Sequence, residues 1–201
     1  MINYLIDKSH LVATWLSSRA NRLRLRGARV EVVAFVVTRS PVTSLLLVES
    51  AYASTWMPPQ EGVNLGETFQ DAFYRCVQDE CGINIPSELG ERRKLFYLRH
   101  IEYLGMLDLP AERSGERLVA DNAADTPLGS IKLKRKAYWA ALAIIKDASD
   151  MVPEPDGREI VNAGWFDFDK ASDLIQSTNR PEKATLLLKG VKLCERHLRG
   201  S

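Results

Sequence analysis

The chain has 201 residues, enough for one sizeable domain with its own core. With 45% hydrophobic and 26% charged residues the composition is that of an ordinary globular protein, and a formal net charge of +1 excludes a global field that would attract nucleic acid or membrane. No apolar run reaches the roughly 18 residues of a spanning helix, the start MINYLIDKSH lacks the pattern of a secretory signal, and Cys76, Cys81 and Cys194 form no CxxC or zinc spacing, so a reducing, cytoplasmic location is expected.

In chain order, Leu11, Val12, Trp15 and Leu16 follow helical spacing, which predicts an amphipathic helix over Ser9 to Leu23 within an N-terminal extension of residues 1–27. The main domain is expected over 28–201. VEVVAFVVT (Val30 to Thr38) and SLLLVES (Ser44 to Ser50) are apolar, β-branched runs separated by RSPVT, and read as a β-hairpin. Pro58 and Pro59 stiffen the chain before a glycine loop in which Gly62 and Gly66 flank VNL. Thr68 to Cys81 reads as a helix, with Thr68 as N-cap and Gly82 at the left-handed C-terminal position. RKLFYLRHIEYLGML is strand, Ala111 to Ser130 a long loop, and IKLKRKAYWAALAII a long strand. EPDGRE is a turn, REIVNAGWFDF a strand, Asp169 to Gln176 a short helix, and a last helix starts near Pro181 and ends near Arg199. Strands and helices mix irregularly, which predicts an α+β sandwich.

The acids of the Thr68–Cys81 helix fall in an unusual place. With Cys76 at zero on the helical wheel, Phe69, Phe73 and Val77 lie at roughly +20°, +60° and +100°, while Glu80 and Asp79 lie at roughly +40° and −60°. Both acids point within or beside the apolar face. Unpaired buried carboxylates cost several kcal/mol, so the pattern asks for cations. Arg75 reaches Asp71 or Asp79 at helical spacing, which leaves Glu80 uncompensated. A divalent metal on oxygen ligands and a helix end with solvated acids both fit at this point.

The whole segment WMPPQEGVNLGETFQDAFYRCVQDECGI resembles the Nudix box, G-x5-E-x7-R-E-U-x-E-E-x-G-U, where U is aliphatic. Glu67, Arg75, Val77, Asp79, Glu80, Gly82 and Ile83 match, with aspartate at 79 a conservative swap. Two positions depart: Glu61 stands for the first glycine, and Cys76 for the first glutamate of the acidic cluster. WMPPQEGVNLGE, the basic strand KLKRKAYWAALAI, and an acid (Glu159) upstream of Trp165 look like the RNA 5′-pyrophosphohydrolase and dinucleoside polyphosphate hydrolase subgroup.

The resemblance implies a Nudix-type α/β/α sandwich with a mixed central sheet. It implies a magnesium-dependent pyrophosphohydrolase, with manganese as an alternative ion, acting on a nucleoside diphosphate linked to another group. Asp79, Glu80 and the main-chain carbonyl at Glu61 are then metal ligands, and Glu159 is a further ligand or base. Glu154 and Asp156 compete for that last role, with a solvated turn as their plainer reading. Glu67 and Arg75 form a supporting ion pair, Gly62, Gly66 and Gly82 shape the loop, and Arg75 also counts among the phosphate contacts. Cys76 removes one charge, because an ordinary thiol is mostly neutral at pH 7 and magnesium prefers oxygen. A weak or inactive nucleotide-binding module is therefore the alternative, and a small core side chain is the plainer reading of Cys76.

Lys132, Lys134 and Lys136 alternate on one strand face, either to clamp polyphosphate or to guard a sheet edge. Arg19, Arg22, Arg24, Arg26 and Arg29 form a second basic group, read either as a polyanion guide or as a solvated helix end. An RNA 5′ end and a homodimer are compatible partners. Trp56, Phe96 and Tyr97 are candidates to stack a base, although strand aromatics are more often core.

Overall fold

The structure, a computed structural model, describes residues 19–40, 42–83, 96–109, 132–145, 148, 151–155 and 157–199. The expected loop Ala111 to Ser130, most of the expected first helix, and Asp156 lie outside the described residues. Residues 19–25 (α1) are helical. The strands are β1 (Ala28–Thr38), β2 (Ser44–Ser50), β3 (Thr55–Met57), β4 (Gln60–Gly62), β5 (Tyr97–Asp108), β6 (Arg135–Ile145) and β7 (Ile160–Phe166). The other helices are α2 (Phe69–Cys81), α3 (Phe168–Gln176) and α4 (Pro181–Arg199).

All seven strands join one mixed sheet with the path β3-β2-β1-β6-β5, to which β4 adds on β1 and β7 on β2. The apolar, β-branched run of β1 is buried on both faces, as a central strand must be. It pairs in parallel with β6 along its whole length, Ala28 opposite Arg135 and Thr38 opposite Ile145. On its other edge β1 is shared. Val37 and Thr38 pair antiparallel with β2, whereas Glu31, Val32 and Val33 pair antiparallel with β4. The expected hairpin therefore exists, but its strands separate after the turn, and β4 fills the opening. The β4 residues read as loop in the sequence, because three residues carry no periodic signal.

Side-chain alternation sends Val30, Val32, Ala34 and Val36 into a core with α2, and Val33, Phe35 and Val37 into a second core with α3 and α4. The result is the expected α/β/α sandwich. On the first face Phe73, fully buried and edge-on to Tyr74 and Phe96, contributes roughly 2–3 kcal/mol by burial. On the second face α4 lies so close to β1 that a Cβ at Gly190 would come within 2.1 Å of the Phe35 ring. Only a residue without a side chain allows that approach. Among the described residues no helix is long and apolar enough to cross a membrane.

Candidate active site

The loop from β4 to α2 is tied down by two arginines. Thr68 caps α2, accepting from the Asp71 N–H at 3.1 Å and donating to Asp71 Oδ2 at 2.6 Å. The Glu67 carboxylate accepts from Arg75 Nε and Nη2, each at 2.9 Å, and from the Asn64 N–H at 2.8 Å. Arg75 Nη2 also donates to the Gly62 carbonyl at 2.7 Å, and Nη1 is paired with Glu61 Oε1. Its hydrogen bonds to Glu67 hold the Arg75 guanidinium above its ordinary range. The expected Glu67–Arg75 pair is thus present. Arg75 nevertheless departs from one expectation. It faces the loop rather than Asp71 or Asp79, and all three of its nitrogens have partners in the loop or on Glu61.

From the opposite side, Arg24 of α1 donates to the carbonyls of Val63 at 2.6 Å and Asn64 at 3.2 Å, and to Asn21 Oδ1 at 2.7 Å. Burial lowers its pKa, and the Glu67 charge opposes that. In the sequence Arg24 belongs to a basic cluster of open purpose. In the structure the cluster is divided: Arg19 lies 5.0 Å from the Tyr103 ring centroid and 5.2 Å from that of Trp139, and Arg29 pairs with Glu31 at 3.4 Å. Fold contacts account for these three.

The acids of α2 also separate. Asp79 is exposed, whereas Glu80 is largely enclosed and its Oε2 accepts the Gln60 N–H at 2.8 Å. Burial pushes the Glu80 carboxyl up to about 8, against the Gln60 N–H that favours the charged form; Glu61 and Glu31 add repulsion. Glu61 enters from β4. Its Oε1 meets Arg75, while its Oε2 is buried with no hydrogen-bond partner among the described residues. Burial raises this carboxyl too, with Arg75 opposing and Asp79 and Glu67 reinforcing. Cys76 has 0% exposure and packs in the first core; burial, then Glu80, pushes its thiol well above the ordinary range. It supplies no charge near neutral pH. Cys76 and Cys81 are both free, as their helical spacing requires.

The helix ends in a tight fit. Gly82 has φ +66°, and a Cβ there would lie 1.9 Å from the Glu154 carbonyl oxygen. The Glu154 N–H donates to the Cys81 carbonyl at 2.8 Å, so this segment acts on the helix end through its backbone.

A second charged group surrounds Glu31, and two of its members, Glu31 and Lys183, carry no signal in the sequence. Glu31 is buried and takes Lys136 Nζ at 2.5 Å. Lys183 from α4 joins it. Burial pulls its ammonium down to about 8, Glu31 and Glu80 oppose, and among the described residues Nζ donates only to Met57 Sδ at 3.4 Å. Only folding brings the first turn of α4 over the start of β1, so no local pattern marks Lys183.

Among the described residues three expected contributors make no contact with the acids. Lys132 and Lys134 are exposed and precede β6, which starts at Arg135 because the Lys134 and Arg135 N–H groups turn to the Gly27 carbonyl. Of that row only Lys136 reaches a charged partner near the box. Glu159 is exposed in the bend before β7, with its carbonyl accepting from the Ala51 N–H at 2.8 Å; pairing of β7 with β2 fixes it there. Among the described residues no contact links Glu159 with Glu61, Asp79 or Glu80. Trp56 is packed edge-on against Phe166 at 4.9 Å, and Phe96 is core.

Among the described residues no three His, Cys, Asp or Glu side chains converge as a ready metal cage. The donors still suit magnesium. This ion is commonly held by one or two carboxylates plus substrate phosphates and water rather than by an all-protein cage. The unpartnered Glu61 Oε2 and the single hydrogen bond on Glu80 leave oxygen lone pairs for such an ion.

Residues 28–188 match the family model of the NUDIX domain. In fold the chain is similar to a C. elegans Ap4A hydrolase solved as a binary complex, at 16% identity and TM-score 0.56 over 87% of this chain and 100% of that one. It is similar to the E. coli dihydroneopterin triphosphate pyrophosphohydrolase at 13% identity and TM-score 0.52, over 82% and 97% of the two chains. A bifunctional NMN adenylyltransferase/ADP ribose pyrophosphatase from Francisella tularensis, complexed with AMP and a manganese ion, gives 16% identity and TM-score 0.52 over 93% of this chain and 49% of that one. No curated protein matches the sequence.

Proposed function

The chain belongs to the NUDIX family of hydrolases, which act on nucleoside diphosphate derivatives, and on that premise we propose that it is a divalent-cation-dependent pyrophosphohydrolase of a nucleotide derivative. The observation that carries this reading is that Glu80 accepts the N–H of Gln60, the neighbour of Glu61 in β4, beside a loop that Arg75 locks in place. Glu80, Glu61 and the exposed Asp79 would hold magnesium or manganese. Such an ion neutralises phosphate charge and lowers the pKa of a bound water. Arg75 and Glu67 keep the loop from moving when charge arrives. Lys183 offers positive charge beside Glu80 and has no carboxylate within salt-bridge reach among the described residues, whereas Lys136 is held by Glu31. The proposed site leaves out Lys132, Lys134 and Glu159.

The fold neighbours suggest the substrates to try: a dinucleoside polyphosphate, a pterin or purine nucleoside triphosphate, and ADP-ribose, with a triphosphorylated RNA 5′ end added. The purified protein is incubated with each, with magnesium or manganese, and phosphate or mononucleotide release is followed. Turnover that needs the ion and is lost in Glu80→Gln supports the reading; turnover that survives Glu80→Gln refutes it. One observation favours a second reading. The buried, neutral Cys76 stands where the box has a glutamate, so a nucleotide-binding module with little turnover follows if the panel binds without hydrolysis.

A further inference from the structure

The sequence departs from the box at two positions that look unrelated, an extra acid at 61 and a missing acid at 76. The structure brings them together. Glu61 pairs with Val32 across the β1–β4 ladder, so the two side chains share a face, and Val32 lies in the core beneath α2. Glu61 therefore projects towards the helix that carries Arg75, Cys76, Asp79 and Glu80, and its Oε1 is held by Arg75.

We propose that the Glu61 side chain returns to the site the carboxylate that the box lacks at Cys76, and is a direct ligand of the divalent cation. The inference rests on the metal-dependent reading above but assigns the side chain, not only the main chain, of residue 61. Three observations support it. First, Arg75 occupies one oxygen of Glu61 and leaves Oε2 buried with no hydrogen-bond partner among the described residues. A buried carboxylate oxygen without a hydrogen bond is costly, and a cation completes it. Second, Cys76 is small and enclosed, so it yields the space and the charge that a second glutamate would contest. Third, relative to the box the chain loses one acid on the helix and gains one on the strand, so the number of acids is unchanged.

Manganese binding, read by electron paramagnetic resonance of the free ion, tests this without any need for turnover. The proteins compared are wild type, Glu61→Gln, Glu61→Gly, Glu80→Gln and the double variant Glu61→Gly/Cys76→Glu. Loss of the Glu61 carboxylate is expected to weaken manganese binding by at least about tenfold, as removal of a ligand charge does. The double variant is expected to recover most of that affinity, because it restores the box at both positions. Glu61→Gln keeps the shape of the side chain, so a fold defect in Glu61→Gly does not decide the matter. If Glu61→Gln binds manganese like wild type while Glu80→Gln does not, the inference fails and the metal reading stands. If wild type itself binds no manganese, both fall.

Discussion

Replacing Glu80 by glutamine should change how stability depends on pH. The ordinary value for this carboxyl is 4.5, and in the folded protein burial moves it to about 8. Between these limits the folded state keeps a proton that the unfolded chain has released. Stability is thus full below the unfolded value and is lost as pH rises through the folded one. At 1.36 kcal/mol per unit the loss amounts to about 5 kcal/mol, which is comparable with the whole stability of a small domain. Glu80→Gln retains an oxygen for the Gln60 N–H, keeps the volume and does not titrate. Urea unfolding in the presence of a chelator, from about pH 5 to pH 8, should show a steep fall for wild type and a much flatter line for the variant. The variant should be the more stable of the two at pH 8. Magnesium should restore wild type there and leave the variant unchanged. Lys183, with its ammonium lowered to about 8, acts with the opposite sign only above that pH, so it does not mask the result. Equal slopes for the two proteins would refute the argument.

Arg75→Ala leaves Glu61 and Glu67 without their cation and should cost about 2 kcal/mol in urea unfolding, with loss of divalent-ion binding as the loop slackens. Gly82→Ala meets both a left-handed backbone and the Glu154 carbonyl, and a thermal melt should show a loss of at least about 2 kcal/mol. A thiol reagent should label none of the three cysteines in the native protein and all three after denaturation; rapid native labelling would contradict the burial of Cys76, Cys81 and Cys194.

Long periodic elements are legible in the sequence. Thr68, the apolar stripe of α2 and Gly82 predict that helix with its caps, and the last helix runs from Pro181 to Arg199 as its proline start implies. The spacing of the box likewise points to the Glu67–Arg75 pair, which the folded chain makes. What stays hidden depends on long-range pairing. Three-residue β4 has no periodicity, yet its pairing with β1 aims Glu61 at α2. Lys183 owes its place to the docking of α4. Lys132 and Lys134 look like continuations of β6 because alternation alone does not reveal where a strand stops. The wheel puts both acids near the apolar face, but Asp79, at its margin, faces solvent.

Arg24 precedes the stretch that the family likeness covers, yet its guanidinium closes on the carbonyls of Val63 and Asn64. Ancestry and cooperativity therefore draw different borders on this chain. A shortened version trimmed to residues 28–188 would carry every box residue and still lose a brace of the loop those residues depend on. Grafting the box into another scaffold would therefore require a replacement for that single guanidinium.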